Sequence, residues 1–180
     1  MDPIVPVRGP PMTTHGERRA ELYLRGDTYG TFDAQQGVVN RMRTLEAEGV
    51  LDATKVDGGW QRIRTNDEDG RAGAIATYRE FANWARRNGY SLGPAFEERQ
   101  RAYMGLDRVD DVVVFPIVTL AMYEDERLRG VFPSSDGDQV YRVDDALEAL
   151  EAGDVSWFEK FDSITVDRTE PWLRTDVSAD

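Results

Sequence analysis

The spacing of apolar residues changes several times along this chain, and each change predicts an element. Ala20 to Arg25 reads Ala-Glu-Leu-Tyr-Leu-Arg, so Leu22 and Leu24 lie two apart and share one face of a strand; a helix from Gly16 to Arg25 is the competing reading. Val38, Val39, Met42, Leu45 and Ala47 then follow at helical spacing behind Asp33, which can cap the helix with Gln36 at the capping-box position. Gly49 predicts its end, because a left-handed glycine there folds Val50 back onto Leu45. Thr54 to Ile63, built around Asp57-Gly58-Gly59, predicts a tight hairpin or a strand interrupted by a bulge, and the polar stretch Thr65 to Gly70 a loop. A second helix is predicted from about Arg71 to Arg87, burying Ile75, Tyr78, Phe81, Ala82 and Ala85, with Trp84 at the margin of the stripe and Asn88-Gly89 as the stop.

Leu92-Gly93-Pro94 marks a turn, after which Ala95 to Met104 alternates imperfectly, as a strand wet on one side would. Val112 to Tyr123 is apolar on both faces and predicts a buried central strand, with a bulge or unpaired edge at Pro116, which has no N–H to give a ladder. Glu124 to Glu126 predicts the turn of a hairpin returning through Leu128 to Phe132. Ser134 to Asp138 is a loop, Gln139 to Val143 a short strand, and Asp144 the cap of a small helix carrying Ala146, Leu147 and Leu150 before Gly153. The order predicts an α+β fold: a strand-helix-strand opening, a second helix, an antiparallel meander and a short closing helix. One mixed sheet with helices on one face, ferredoxin-like, fits it.

Around a single domain at 17–153 the chain carries two tails. Residues 1–16, with Pro3, Pro6, Pro10 and Pro11, read as a flexible extension rather than a signal peptide. The acidic tail 154–180 still holds Trp157, Phe158, Phe161, Ile164 and Trp172, too apolar for a linker. Trp157, Phe158, Phe161 and Trp172 are therefore candidate interface residues, packing on this subunit or on a second one.

Charge narrows the setting more than the function. Acidic residues number 34 against 22 basic, a formal net charge of -12 in 180 residues, and the only lysines are Lys55 and Lys160. A densely carboxylated, arginine-for-lysine surface stays hydrated where salt screens its repulsion, which predicts a protein of a salty cytoplasm; an acidic protein from a GC-rich mesophile is the plainer alternative. Acidity does not exclude DNA, because in molar salt the counterion-release advantage of a basic surface is nearly spent. Cysteine is absent and His15 is the one histidine, which removes disulfides, thiolate chemistry, a histidine triad and histidine-rich metal sites from the reach of this chain alone. No Gly-rich phosphate loop or Gly-x-Ser-x-Gly motif occurs, so no cofactor is expected and an enzyme would have to rely on Asp, Glu, Arg and Tyr. The longest apolar run is too short to span a bilayer, and no membrane partner is expected.

Three groups remain as candidate chemistry. The helix through Asn40 to Gly49 and the extended stretch after it have the outline of a recognition helix and wing. Gln35, Gln36, Asn40, Arg41 and Arg43, with Arg62 on the wing, would then face DNA, where Gln and Asn suit adenine and Arg suits guanine or phosphate. The preceding residues look extended, however, and a strand-helix-strand unit with a merely solvated polar helix face explains the pattern better. Asp136, Asp138, Asp144 and Asp145 gather carboxylates without the alternation or closing glutamate of a calcium loop, and turn and cap roles account for them. Trp60, Tyr78, Phe81, Trp84, Tyr90, Phe96 and Tyr103 could line a pocket or a stacking surface, although core packing claims Tyr78 and Phe81, and Trp60 beside two glycines is least easily placed in a core.

Glu21-Leu22-Tyr23-Leu24-Arg25, then Arg43 to Leu51, then Trp84-Ala85-Arg86-Arg87-Asn88-Gly89-Tyr90-Ser91-Leu92 resemble a group of haloarchaeal proteins labelled "HTH domain". Phe115-Pro116, Leu120 to Asp125, Ser135-Asp136-Gly137 and Val143 to Leu147 are similar to theirs too. The resemblance spans roughly Glu21 to Gly153, and its motifs are structural punctuation rather than a catalytic signature. It implies a non-enzymatic, DNA-linked transcriptional regulator, with DNA and a protein partner or homodimer as expected partners. The alternative is a small-molecule-binding or protein-assembly adaptor module without DNA contact.

Overall fold

Alternation in the first apolar stretch produces a strand, β1 (Arg18–Leu24), with Ala20 and Leu22 fully buried on one face and Tyr23 buried on the other. The computed structural model describes residues 15–26, 29–60, 62–64, 72–102, 104–105 and 109–159. Helix α1 (Phe32–Ala47) buries Gln35, Val39, Met42 and Leu45 along one stripe. Thr31, not Asp33, occupies its N-cap; Asp33 lies in the first turn, where its charge still opposes the positive end of the helix dipole. At the other end Gly49 takes φ 77°, and the N–H groups of Val50 and Gly49 donate to Leu45 and Glu46 carbonyls, each over 3.0 Å. These are the two bonds of a Schellman stop, and Gly49 lets them close without a Cβ penalty. The second long helix, α2 (Ala72–Asn88), ends the same way, with Gly89 at φ 75° and the Tyr90 N–H on the Ala85 carbonyl.

After α1 the chain returns as β2 (Ala53–Gly58), parallel to β1, with Leu22 opposite Val56. The expected hairpin at Asp57-Gly58-Gly59 does not form. Gly59 takes φ 82° after β2, but β3 (Arg62–Arg64) belongs to another sheet. Pairing with β1 instead closes a β-α-β unit in which α1 packs over the Ala20 and Leu22 face of β1 and against β2, a long-range gain that a local turn signal does not register.

Four further strands complete the framework: β4 (Glu97–Ala102), β5 (Val109–Val114), β6 (Val118–Glu124) and β7 (Arg127–Phe132). One sheet has the order β2-β1-β6-β7, the other β3-β5-β4. The single strand expected over Val112 to Tyr123 is therefore two strands in two sheets, with Phe115-Pro116-Ile117 carrying the chain between them. Pro116 sits where no ladder bond is needed, which is why it is tolerated in so apolar a run. The hairpin between β6 and β7 turns at Asp125 and Glu126 as expected, with Asp125 at φ 53°. A two-stranded ribbon, β8 (Ser134–Ser135) and β9 (Val140–Tyr141), leads into α3 (Val143–Glu151) and the short α4 (Ser156–Glu159). The strand at 139–143 is thus two residues long. The N-cap of α3 is Arg142, whose N–H donates to Asp145 over 2.7 Å, so Asp145 rather than Asp144 satisfies the helix start.

Two cores lie on opposite faces of the four-stranded sheet. Ala20, Leu22, Leu120, Met122 and Phe132 pack under α1 and α3 with Leu45, Leu147 and Leu150. Tyr23, Ala121, Tyr123 and Val131 pack on the other face with Phe81 and Trp84 of α2 and with Phe96, Val113 and Phe115. Helices on one face only, the sequence-based expectation, are thus corrected: β6 is apolar on both faces because it lies between two helical layers. The α+β class and a mixed sheet hold. Yet β1 and β2 are direct neighbours, whereas a ferredoxin-like fold splits its β-α-β unit with another strand. Trp60 finds a place at the edge of the second core, its ring centroid 4.7 Å from Tyr23 and 5.2 Å from Phe115. Trp84 is buried rather than marginal. Among the described residues no helix is long and apolar enough to cross a membrane.

Candidate nucleic-acid interface

Because α1 lies against the sheet, its polar residues divide by face. Gln35 is buried and its Nε2 donates to the Arg25 carbonyl over 3.0 Å and to the Ile117 carbonyl over 3.1 Å, tying the ends of β1 and β6 to the start of the helix. Arg41 reaches α3: its Nε and a terminal nitrogen hold both oxygens of Glu151 at 2.7 and 2.9 Å, and the other nitrogen holds Asp144 at 2.9 Å. The bond to Glu151 raises the Arg41 guanidinium above its ordinary value and lowers the Glu151 carboxyl below its own. Gln36 is half-buried, while Asn40 and Arg43 are exposed. Arg62 falls in β3, not on a wing beside α1. The structure therefore does not bring the six residues together as one outward surface. Two of them have structural work that periodicity alone does not reveal.

A different helix carries the cationic face. Ile75, Phe81, Trp84 and Ala85 turn α2 toward the second core, which leaves Arg79, Asn83, Arg86 and Arg87 exposed on its outer side. Arg127, at the start of β7, borders the same groove of about 660 Å³, whose lining has Arg79, Arg87 and Arg127 against one acid, Glu80. The Glu80 side chain leans toward Tyr123, whose hydroxyl donates to it over 3.4 Å. Partial loss of water pushes the carboxyl above its ordinary value and Glu21 adds to this, against the pull of Tyr123 and Arg19. In a chain of net charge -12 this is a local reversal of sign. Arg86 and Arg87 also occupy the last turn, where the helix dipole favours cations whatever else they do. The helical spacing of these arginines was visible in the sequence; the approach of Arg127 was not.

The remaining candidates have local partners. Asp136 accepts from the Asp138 and Gln139 N–H groups at 3.1 and 2.8 Å and from the Tyr141 hydroxyl at 2.6 Å, and the last bond pushes that hydroxyl up to about 12. Trp157 stands edge-on to Phe132 and Tyr141, and Phe158 is fully buried beneath the Arg18 guanidinium. Arg18 shares the buried Glu124 carboxylate with Arg129, which holds it at 2.9 Å. Trp157 and Phe158 thus pack on this chain's own sheet; Phe161, Trp172 and Tyr103 lie outside the described residues. On the other flank of α2, Tyr78, Tyr90, Leu92 and Phe96 line a second hollow of about 510 Å³ with Arg86 and Glu98 at its rim.

A family model described as a helix-turn-helix domain matches residues 12–155. No curated protein matches the chain, and no solved structure does.

Proposed function

Since the chain belongs to the helix-turn-helix domain family, we propose that it is a non-enzymatic, DNA-linked regulatory protein that meets DNA through the outer face of α2. The observation that carries the reading is the cluster of Arg79, Arg87 and Arg127 on an otherwise acidic chain, with Arg86 and Asn83 beside it. Guanidinium groups suit phosphate and guanine edges, and a helix fits the major groove. Seventeen residues make α2 about 25 Å long, enough to lie along several base pairs. Asn40 and Arg43 of α1 are exposed as well. The acidic, lysine-poor composition supports a setting in the cytoplasm of a halophilic archaeon, where screened electrostatics leave more of the recognition to shape and hydrogen bonds.

Chromatin precipitation at native salt, with sequencing of the recovered DNA, tests the proposal. The expected result is enrichment at discrete sites that is lost in Arg79→Ser/Arg87→Ser/Arg127→Ser and kept in Arg43→Ser. No enrichment over an untagged strain, or equal enrichment in the triple variant, would overturn it. A second reading, a small-molecule-binding module without DNA contact, is favoured by the aromatic hollow between Tyr78 and Phe96. It predicts ligand-dependent quenching of tryptophan fluorescence that Phe96→Ala removes.

A further inference from the structure

We infer that the open edge of the four-stranded sheet, β2, pairs with β2 of a second copy of this chain about a two-fold axis through Val56. Within the described sheet β2 is bonded only to β1, whereas at the opposite edge β7 has α4 packed against it. An edge strand presents a row of unpaired backbone donors and acceptors that another strand can complete.

Two observations name the occupant. Val56 is 39% exposed although its register partner Leu22 is fully buried, so an apolar side chain sits uncovered on the rim. Around it the strand reads Thr54-Lys55-Val56-Asp57-Gly58, and neither Lys55 nor Asp57 has a side-chain partner among the described residues. In an antiparallel pair centred on Val56, residue 55 of each copy stands opposite residue 57 of the other, on the same face of the sheet. Each Lys55 then meets an Asp57 carboxylate, twice by symmetry, and the two Val56 side chains meet on the α1 face. A slip of two residues in either direction sets Lys55 against Lys55 or Asp57 against Asp57, so the charges select one register. A lysine on an edge ordinarily discourages strand addition. That protection acts against unrelated strands, while this partner brings its own aspartate. About four to six main-chain hydrogen bonds would close the joint, and the two-fold makes the assembly finite. The groove lined by Arg79, Arg87 and Arg127 borders β7, at the opposite edge of the sheet from β2, so the inference is tested independently of DNA binding.

Sedimentation velocity of the full chain over a concentration series, at the lowest salt in which circular dichroism shows the fold intact, tests it. The expected result is a dimer that Asp57→Lys and Lys55→Asp each weaken by about tenfold or more, since like charges then face each other twice. An equal mixture of the two variants should regain the dimer as a heterodimer, because a strand with lysine at both positions then faces a strand with aspartate at both; this recovery also shows that both variants are folded. A wild-type chain that stays monomeric, an Asp57→Lys variant that dimerises like wild type, or a mixture that remains monomeric would overturn the inference.

Discussion

Gln35→Glu is a perturbation that changes one atom's hydrogen-bonding sense and almost no volume. In the wild type the side-chain amide is 9% exposed and gives both its hydrogens away, to the carbonyls of Arg25 and Ile117. A carboxylate in its place has no hydrogen to give and points its charge at two carbonyl oxygens. Each lost bond is worth about 1 kcal/mol net, and the buried charge adds a comparable penalty, for a deficit of about 3 kcal/mol. Ile117 keeps a second donor, the Arg25 N–H at 3.0 Å, so the loss falls mainly on the Arg25 carbonyl. The deficit must depend on pH. Burial and the facing carbonyls raise the folded-state value of the new carboxyl above the unfolded value of about 4.3. Protonation therefore favours the fold: the penalty is small below that unfolded value, where the acid can donate one bond, and complete once pH exceeds the folded value. Urea unfolding followed by tryptophan fluorescence, for variant and wild type in the same molar KCl, measures the difference at about pH 4 and about pH 8. Equal deficits at both pH values, or one below about 0.5 kcal/mol, would refute the argument and return Gln35 to solvent as a candidate DNA contact.

Arg41→Ala removes the ion pairs to Glu151 and Asp144, whose groups are 30%, 40% and 67% exposed, so the expected loss at neutral pH is only about 0.5–1 kcal/mol by denaturant unfolding. Arg41 holds the Glu151 carboxyl below its ordinary 4.5; this stabilisation is present above that value and disappears as pH falls through the lower folded value, where variant and wild type should converge. Gly49→Ala places a Cβ in open space at φ 77°, so its cost is backbone strain alone, about 1–2 kcal/mol in the same assay. Phe158→Ala empties a fully buried site under the Arg18 guanidinium and should cost about 3–5 kcal/mol; a negligible change would mean that the chain beyond Gly153 does not belong to the folded unit.

Local interactions were legible in the chain, and each has a short-range cause. Gly49 and Gly89 end their helices because the left-handed turn involves only the residues around it. Leu22 and Leu24 mark a strand through alternation, and the Asp125-Glu126 turn joins neighbours in sequence. The stripe of Ile75, Phe81 and Ala85 likewise told which side of α2 is buried, and its complement already held Arg79, Asn83, Arg86 and Arg87. What failed depended on partners far along the chain. The apolar run from Val112 to Tyr123 cannot say that its halves join different sheets, since either sheet satisfies an apolar strand. Asp57-Gly58-Gly59 signals a turn but not that β2 prefers β1 to β3. Gln35 and Arg41 resemble solvent-facing readers until the carbonyls of Arg25 and Ile117, and the carboxylate of Glu151, are brought against them.

The two long helices with their glycine stops, the alternation of β1 and the acidity of the chain can be read from the residues alone, because they follow from neighbours within a turn or two and from composition. Which polar side chains remain available depends on how the layers pack. Burying α1 against β1 and β6 commits Gln35 to backbone carbonyls and brings Arg41 to the acids of α3, while packing α2 on the opposite face leaves its arginines outside, beside Arg127. Availability is a property of the packed layers: a polar group inside them must satisfy its hydrogen bonds there, and one outside them can meet a partner.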